Sequence, residues 1–194
     1  SLAILSSALP YWFARNARQL LAAREAGCPI LAAHVADVRD ADIHTLAAAG
    51  VSVAYCPRAA EFFDVPRDLG PHRYRDLLDA GVNVCLGTDS LAGLPTSAAD
   101  PTRGAFGPLA DARRLHQRDG VDPRTLLAMA TTRGAQALGL NPEAFTLNAP
   151  APPAGLTLCR TPANGSAARG VMEASVPAQF LCMQNDARLA EMHA

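Results

Sequence analysis

The chain has 194 residues, of which 49% are hydrophobic and 18% charged, with a formal net charge of −1. This composition suits a protein with a buried core and excludes an intrinsically disordered one. Because the sequence has no excess or block of basic charge, it predicts neither a nucleic-acid-binding protein nor a membrane-surface protein. The five cysteines form no CxxC pair, which predicts reduced thiols and a cytoplasmic location.

Helices and strands are predicted to alternate along the first half of the chain. An apolar opening segment, 1–14, lacks both the basic start of a signal peptide and the length of a membrane span. Glycines end the next three helices, and each glycine precedes an apolar strand: Gly27, Gly50 and Gly81. The helices are expected at 16–26, at 41–49 with Asp40 as its cap, and from Pro71 onward. The strands are expected at 29–35, at 51–55 and in the run that ends at Asp89.

The segments that follow are less regular. The stretch between the second strand and Pro71 is predicted to be irregular, and segment 92–107, rich in Gly, Pro, Ser and Thr, is a candidate active-site loop. Two more helices are expected, at 108–118 and, capped by Asp122, at 123–138. A proline-rich break, a short strand and a weakly patterned tail are expected at 148–153, 155–160 and beyond Pro162.

Strands that are apolar on both faces are typical of a parallel sheet covered by helices. The alternation is compatible with a (βα)8 barrel and with an open doubly wound sheet. Three or four strands are too few to close a barrel. No Gly-rich phosphate loop follows any strand, which counts against a nucleotide-binding open sheet. The fold class is therefore α/β, and the residues alone leave both architectures open.

Two chemically active side chains follow predicted strands. His34 ends one strand and Asp89 ends another, so both are expected on the same rim of the sheet. Histidine and aspartate are suitable ligands for a catalytic zinc, which usually takes three protein ligands and one water. Two donors do not complete such a site, and Asp89 has the alternative of capping the next helix or turn.

Other residues near these strand ends are weaker candidates. His72 is predicted in the first turn of a helix, where it either reaches across the rim or is an ordinary surface histidine. Cys56 and Cys85 are expected in the core, because free cysteines are commonly buried.

An ordered series of segments resembles the last strands of the amidohydrolase superfamily, in its branch of cytosine deaminases and chlorohydrolase-like enzymes. Three segments carry the strand ends: Leu-Ala-Ala-His-Val at 31–35, Val-Ser-Val-Ala-Tyr-Cys-Pro-Arg at 51–58, and Leu-Leu-Asp-Ala-Gly-Val-Asn-Val-Cys-Leu-Gly-Thr-Asp-Ser at 77–90. Segment 130–140 resembles the family's post-barrel helix. Segment 153–158 resembles the strand that rejoins its small β-domain.

This resemblance implies a fold and an activity. The chain would hold about strands 6–8 of a (βα)8 barrel with their helices at 1–147, and a post-barrel strand with a tail at 148–194. The implied activity is hydrolysis of a C–N bond in a small cyclic substrate, by deamination or amide hydrolysis, through water activated by a divalent metal. Zinc is the expected metal, with iron as the alternative.

The resemblance also implies roles for individual residues. Asp89 matches the family's aspartate that binds the metal and takes a proton from the hydroxide on it. His34 matches the histidine that polarises or protonates the substrate. His72, Arg58 and Ser90 are the candidate substrate contacts, with a surface salt bridge as the alternative for Arg58.

The chain departs from the family pattern in three ways. It has no His-x-His pair and no histidine before His34, and Ala59-Ala60 replaces the Ser-Asn that usually follows Cys-Pro-Arg. We therefore expect the C-terminal part of a longer hydrolase, inactive in isolation because upstream metal ligands are absent. Two other interpretations are a non-catalytic barrel that serves as an interaction module and a subunit completed in trans. The expected partner is a small molecule, with no nucleic acid or membrane, and a homo-oligomer is compatible with the sequence.

Overall fold

The structure is a computed structural model that describes residues 3–6, 11–90, 107–146, 155–158 and 181–184. Four short strands form a parallel sheet in which the strand order follows the chain order: β1 (Ala3–Ser6), β2 (Ile30–Ala33), β3 (Ser52–Tyr55) and β4 (Asn83–Leu86). A separate antiparallel pair consists of β5 (Gly155–Leu158) and β6 (Leu181–Gln184). The alternation of parallel strands and helices confirms the α/β fold class, while the numbering of these strands within a barrel stays a prediction.

Helices connect and follow the strands of the parallel sheet. They are α1 (Trp12–Arg15), α2 (Ala17–Glu25), α3 (Asp40–Ala48), α4 (Pro57–Phe62), α5 (Val65–Leu69), α6 (Tyr74–Asp79), α7 (Pro108–Asp119), α8 (Pro123–Ala130) and α9 (Thr132–Ala137). A 3₁₀ turn at Pro142–Phe145 follows α9. Among the helices of the described ranges, none has the length and apolar character that a membrane crossing requires.

A buried row of aliphatic side chains crosses the sheet. The register places Ala32 opposite Val53 and Val53 opposite Val84, and each of the three is at most 1% exposed. Leucines from four surrounding helices are fully buried in the same cluster: Leu46, Leu77, Leu115 and Leu126. Burial of this kind contributes about 1.5–3 kcal/mol for each large aliphatic side chain. The core therefore lies between the parallel sheet and its helices.

The three predicted glycine stops are confirmed. Gly27, Gly50 and Gly81 have φ angles of 69°, 63° and 82°, a left-handed conformation that glycine adopts without a steric penalty. After each glycine, the next amide donates to a carbonyl five residues earlier, as in the bond from Val51 to Leu46. This pattern closes a helix and turns the chain directly into the following strand.

The start of α3 differs from the prediction. Asp40 is not the cap but the first helical residue, and the backbone cap position belongs to Arg39. The side chain of Asp42 performs the capping, because its Oδ2 accepts from the Arg39 amide at 3.1 Å. The same fully buried carboxylate also accepts from the amides of Tyr11 at 2.8 Å and Ala14 at 2.9 Å. It therefore ties α1 to α3.

Several other sequence predictions are wrong in detail. The stretch between β3 and Pro71 is helical, since it holds α4 and α5, and α6 begins at Tyr74 rather than at Pro71. The helix predicted at 123–138 is broken at Thr131, whose ψ of −90° separates α8 from α9. Strand β1 lies in the opening apolar segment, and β6 lies in the tail that showed no clear pattern. The candidate loop at 92–107 lies outside the described residues except for Gly107.

Candidate active site

A cavity of about 340 Å³ lies at the carboxyl ends of β2, β3 and β4. Its polar wall includes residues from the segments that follow β2 and β4, together with one residue just before α6: His34, Asp37, Asp89 and His72. Its apolar wall comes from α4, α5 and their junction: Ala59, Ala60, Phe63, Val65 and Leu69. Carboxyl ends of parallel strands are where α/β proteins commonly bind their ligands.

His34 begins a strained turn directly after β2. His34 and Val35 have φ angles of 65° and 55°, although neither residue is glycine. A β-branched residue such as valine is rarely found in this conformation, and such strain is typical of functional sites. Two hydrogen bonds hold the turn. The His34 amide donates to the Ala54 carbonyl at 2.9 Å, and the His34 carbonyl oxygen lies 2.6 Å from Nε2 of His72.

His72 is a neutral, partly buried histidine rather than a surface histidine. It lies before α6, not in its first turn, and its ring stacks on Tyr55 with centroids 3.9 Å apart. Because a carbonyl oxygen can only accept, Nε2 must carry the hydrogen, which leaves Nδ1 as an unprotonated acceptor. That Nδ1 is buried and has no hydrogen-bond partner among the described residues. Burial lowers the pKa of His72 to about 4, so the ring is uncharged at neutral pH.

Tyr55 connects this cavity to a second one of about 850 Å³. Both Tyr55 and His72 line the two cavities. The Tyr55 hydroxyl accepts from Nη2 of Arg118 at 3.2 Å, and burial raises the pKa of that hydroxyl. Arg118 in turn binds Glu61 and Asp119. Sequence reasoning missed Tyr55, although its position at the end of β3, just before Cys-Pro-Arg, is a signal that could have identified it.

Asp89 follows β4 and shares the cavity with His34. Its φ is 67°, again a left-handed conformation, and its side chain is exposed. The structure therefore brings together three of the predicted site residues, His34, His72 and Asp89. Ser90 is exposed and is not part of the described cavity wall.

Arg58 is turned away from the described cavity wall. Its side chain is 2% exposed and forms an ion pair with Asp111, which is fully buried, at 2.9 Å. Nε of Arg58 donates to the same carboxylate at 3.1 Å. The alternative of a salt bridge at Arg58 is thus favoured over a substrate contact, but the bridge is internal and not on the surface.

The two cysteines near the site are protonated thiols. Burial raises the pKa of Cys56 to about 12 and that of Cys85 to about 11. For Cys56 the negative charges of Asp111 and Asp89 raise the pKa further. A thiol with such a pKa is a poor nucleophile and a poor metal ligand at neutral pH. Both side chains are buried, as predicted, and Cys56 also forms part of the cavity wall.

The described residues do not complete a metal site by themselves. Within the ranges that the structure covers, no group of three or more His, Cys, Asp or Glu side chains is arranged to hold a metal ion. His34 and Asp89 have suitable donor atoms, but a catalytic zinc usually needs a third protein ligand.

A model of the amidohydrolase family matches residues 15–149 of the chain. The chain belongs to the amidohydrolase family. The matched region of this amidohydrolase contains β2, β3 and β4 together with every described residue of the cavity wall. The resemblance inferred from the segments around His34 and Asp89 is therefore confirmed.

Curated relatives of this amidohydrolase include proteins named as deaminases of adenosine derivatives. The chain is 37% identical over 142 residues to the 5'-deoxyadenosine deaminase of Methanoregula boonei, a match that covers 69% of this chain and 29% of that protein. It is 34% identical over 114 residues to the 5-methylthioadenosine/S-adenosylhomocysteine deaminase of Haloarcula marismortui, covering 56% and 24% respectively. The chain thus spans less than a third of the length of these relatives.

Two solved structures are similar to parts of the amidohydrolase chain. The guanine deaminase of E. coli has a TM-score of 0.46 and 22% identity, with 57% of this chain and 24% of that chain covered. An adenosine deaminase from Xanthomonas campestris with bound zinc has a TM-score of 0.42 and 27% identity, with 66% and 30% covered. At these TM-scores the family assignment rests on the sequence match.

Proposed function

We propose that this chain forms part of a metal-dependent deaminase, which hydrolyses a C–N bond that joins an amino group to a small cyclic substrate. One observation carries the proposal. In a member of the amidohydrolase family, His34, His72 and Asp89 meet in one cavity at the carboxyl ends of parallel strands. Both relatives described above are named as deaminases, which supports deamination over other C–N hydrolysis.

In this proposal Asp89 and His34 have separate chemical roles. Asp89 supplies one metal ligand and accepts a proton during attack of water, while His34 donates a hydrogen bond or a proton to the substrate. A bound divalent ion, zinc or alternatively iron, supplies the acidified water that such hydrolysis needs at neutral pH. The exposed carboxylate of Asp89 fits the part of a single ligand, since the described residues contain no group of three or more such donors that could hold a metal ion.

The cavity supports a small, flat and largely uncharged substrate. Its volume falls in the range of small-molecule sites, and one wall consists of aliphatic and aromatic side chains such as Ala60 and Phe63. An aromatic side chain favours stacking with a planar ring. We therefore propose an aminated heterocycle as the substrate class. Ser90 is retained as a candidate contact at the rim.

The division into two parts is also retained as a proposal. The parallel sheet lies within 1–147 and the antiparallel pair lies within 148–194, which supports a barrel part and a post-barrel part. The incomplete ligand set among the described residues also favours a second candidate, in which another chain completes the site in trans.

The test of the proposed function is a chimera. The segment of the Methanoregula boonei enzyme that aligns with this chain is replaced by the matching segment of this chain, and release of ammonia from 5'-deoxyadenosine is measured. We expect turnover in the chimera, no turnover in Asp89→Asn with an unchanged circular dichroism spectrum, and a strong rate loss with retained metal in His34→Ala. Full activity in Asp89→Asn would remove this residue from the mechanism.

Metal analysis of the 194-residue chain separates the two candidate functions. If the chain alone binds near-stoichiometric zinc and Asp89→Asn loses it, ligands from a second copy complete the site, and sedimentation should show an oligomer. If the chain alone binds no zinc while the chimera is active, the remaining ligands belong to the other part of the barrel.

A further inference from the structure

A fully buried carboxylate on α7 connects two of the loops that form the candidate active site. The Oδ1 atom of Asp111 accepts from the backbone amide of Arg58 at 3.4 Å and from its Nε at 3.1 Å. The Oδ2 atom accepts from Nη2 of Arg58 at 2.9 Å and from Oγ1 of Thr88 at 3.0 Å. Each carboxylate oxygen therefore accepts two hydrogen bonds, which uses the lone-pair capacity of the group.

Each partner of Asp111 belongs to a segment that forms the cavity. Arg58 is the second residue of α4, the helix that carries the apolar wall. Thr88 is 8% exposed and stands immediately before Asp89. Nη2 of Arg58 also donates to the Gly107 carbonyl at 3.4 Å, just before α7. The Asp111 cluster (Arg58, Thr88 and Asp111) thus fixes the wall helix and the Asp89 turn relative to each other.

The turn that holds Asp89 requires such a restraint. A non-glycine residue with a φ of 67° persists where the surrounding structure determines its conformation. The hydroxyl of Thr88 supplies a directional bond one residue from that position. A buried ion pair gives little net stability compared with apolar residues of similar volume. The effect of the Arg58–Asp111 pair is therefore expected in the positions of the segments it joins rather than in the free energy of unfolding.

We propose that Asp111 is a positioning residue, which acts through Thr88 to hold Asp89 in its place at the cavity wall. The proposal rests on the proposed function for the role of Asp89, but the positioning itself is a property of this chain. It predicts that loss of the Thr88 hydroxyl loosens the Asp89 turn while the remainder of the fold stays intact.

The experiment compares Thr88→Val with Thr88→Ser in the 194-residue chain. Valine has nearly the shape of threonine but no hydroxyl, while serine keeps the donor to Asp111. Amide hydrogen exchange at Asp89 and Ser90 is measured beside the free energy of unfolding in urea. We expect exchange at these amides to rise about tenfold in Thr88→Val and to stay near the wild-type rate in Thr88→Ser.

A matched control and a second variant keep the test decisive. Thr45→Val removes a hydroxyl that bonds the Ala41 carbonyl on the exposed face of α3, and it should leave exchange at Asp89 unchanged. Asp111→Asn should loosen the same turn as Thr88→Val. If Asp111→Asn does not fold, the comparison of Thr88→Val with Thr88→Ser decides alone.

Zinc affinity tests whether positioning matters for function. In whichever of the chain and the chimera binds zinc, Thr88→Val should lower the zinc affinity about tenfold, and Thr88→Ser should keep the wild-type affinity. Equal exchange rates at Asp89 in the valine and serine variants would overturn the positioning role. If amide exchange at Asp89 rises in Thr88→Val but neither the chain nor the chimera binds zinc or deaminates substrate, the positioning role stands. The proposed function is then rejected.

Discussion

Mild acid should destabilise this protein through His72. In the folded state burial lowers the pKa of His72 to about 4 from an ordinary value of 6.5, and the positive charge of Arg118 lowers it further. The hydrogen bond to the His34 carbonyl acts in the opposite direction. Because the folded pKa lies below the unfolded pKa, the neutral ring contributes stability that is fully present above pH 6.5. That contribution is lost as the pH falls from 6.5 to about 4.

The size of the effect follows from the two pKa values of His72. One pKa unit corresponds to about 1.4 kcal/mol, so the complete loss amounts to about 3 kcal/mol. Between about pH 7.5 and pH 5 the expected loss is about 2 kcal/mol. The bond from Arg118 lowers the pKa of Asp119, so this carboxylate adds a further loss of stability only as the pH falls below its ordinary pKa of 3.8. Urea denaturation followed by circular dichroism at the two pH values measures the difference directly.

Two variants test whether His72 is the cause. His72→Gln keeps a donor for the His34 carbonyl but cannot be protonated, so its free energy of unfolding should be nearly equal at the two pH values. His44→Gln replaces an exposed histidine on α3 and should keep the full loss of about 2 kcal/mol. An equally large acid-induced loss in His72→Gln would refute the reasoning.

Three other predictions concern single contacts. Asp42→Ala removes the acceptor of three backbone amides and should lower the free energy of unfolding by about 2–4 kcal/mol, whereas Asp68→Ala, on the exposed face of α5, should change it by less than about 0.5 kcal/mol. Gly87→Ala would place a Cβ 2.8 Å from the Sγ of Cys56 and should cost about 1–3 kcal/mol in urea denaturation. Most of that loss should disappear in a Cys56→Ala background, and additive effects would contradict the clash. Iodoacetamide at about pH 8 should modify Cys56 and Cys85 at least tenfold more slowly in the native chain than in urea, as peptide mass spectrometry would show, because their raised pKa values suppress the thiolate.

Local signals made much of the parallel sheet predictable. The succession of helix, glycine and strand at Gly27, Gly50 and Gly81 depends on backbone hydrogen bonds between residues about five positions apart. The amino-acid sequence alone therefore identifies it. The rim position of His34 and Asp89 followed from the same units, since parallel strands place their carboxyl ends on one edge. The segments that resemble amidohydrolases indicated the chemistry expected at this rim, and the match to the amidohydrolase family model confirmed the family.

The contacts that shape the site depend on residues far apart in the chain. Asp42 binds an amide 31 residues away and Asp111 binds a side chain 53 residues away, so no local pattern indicates either partner. Helix α4 was missed for a different reason. Its buried residues include the charged Arg58, whereas Phe62 and the following Phe63 are 55% and 59% exposed, so the apolar residues in the sequence do not mark the buried face of this helix.

The order of the strands has a consequence for how the sheet assembles. Strands β2, β3 and β4 each pair with the strand that precedes them in the chain, at a separation of roughly 20 to 30 residues. The entropy lost in closing each connection is therefore similar, and no strand must wait for a distant partner. Such a sheet can grow by one βα unit at a time from the amino-terminal side during synthesis. The Asp111 cluster forms after the parallel sheet in this order, because α7 is made after the strands whose loops it holds.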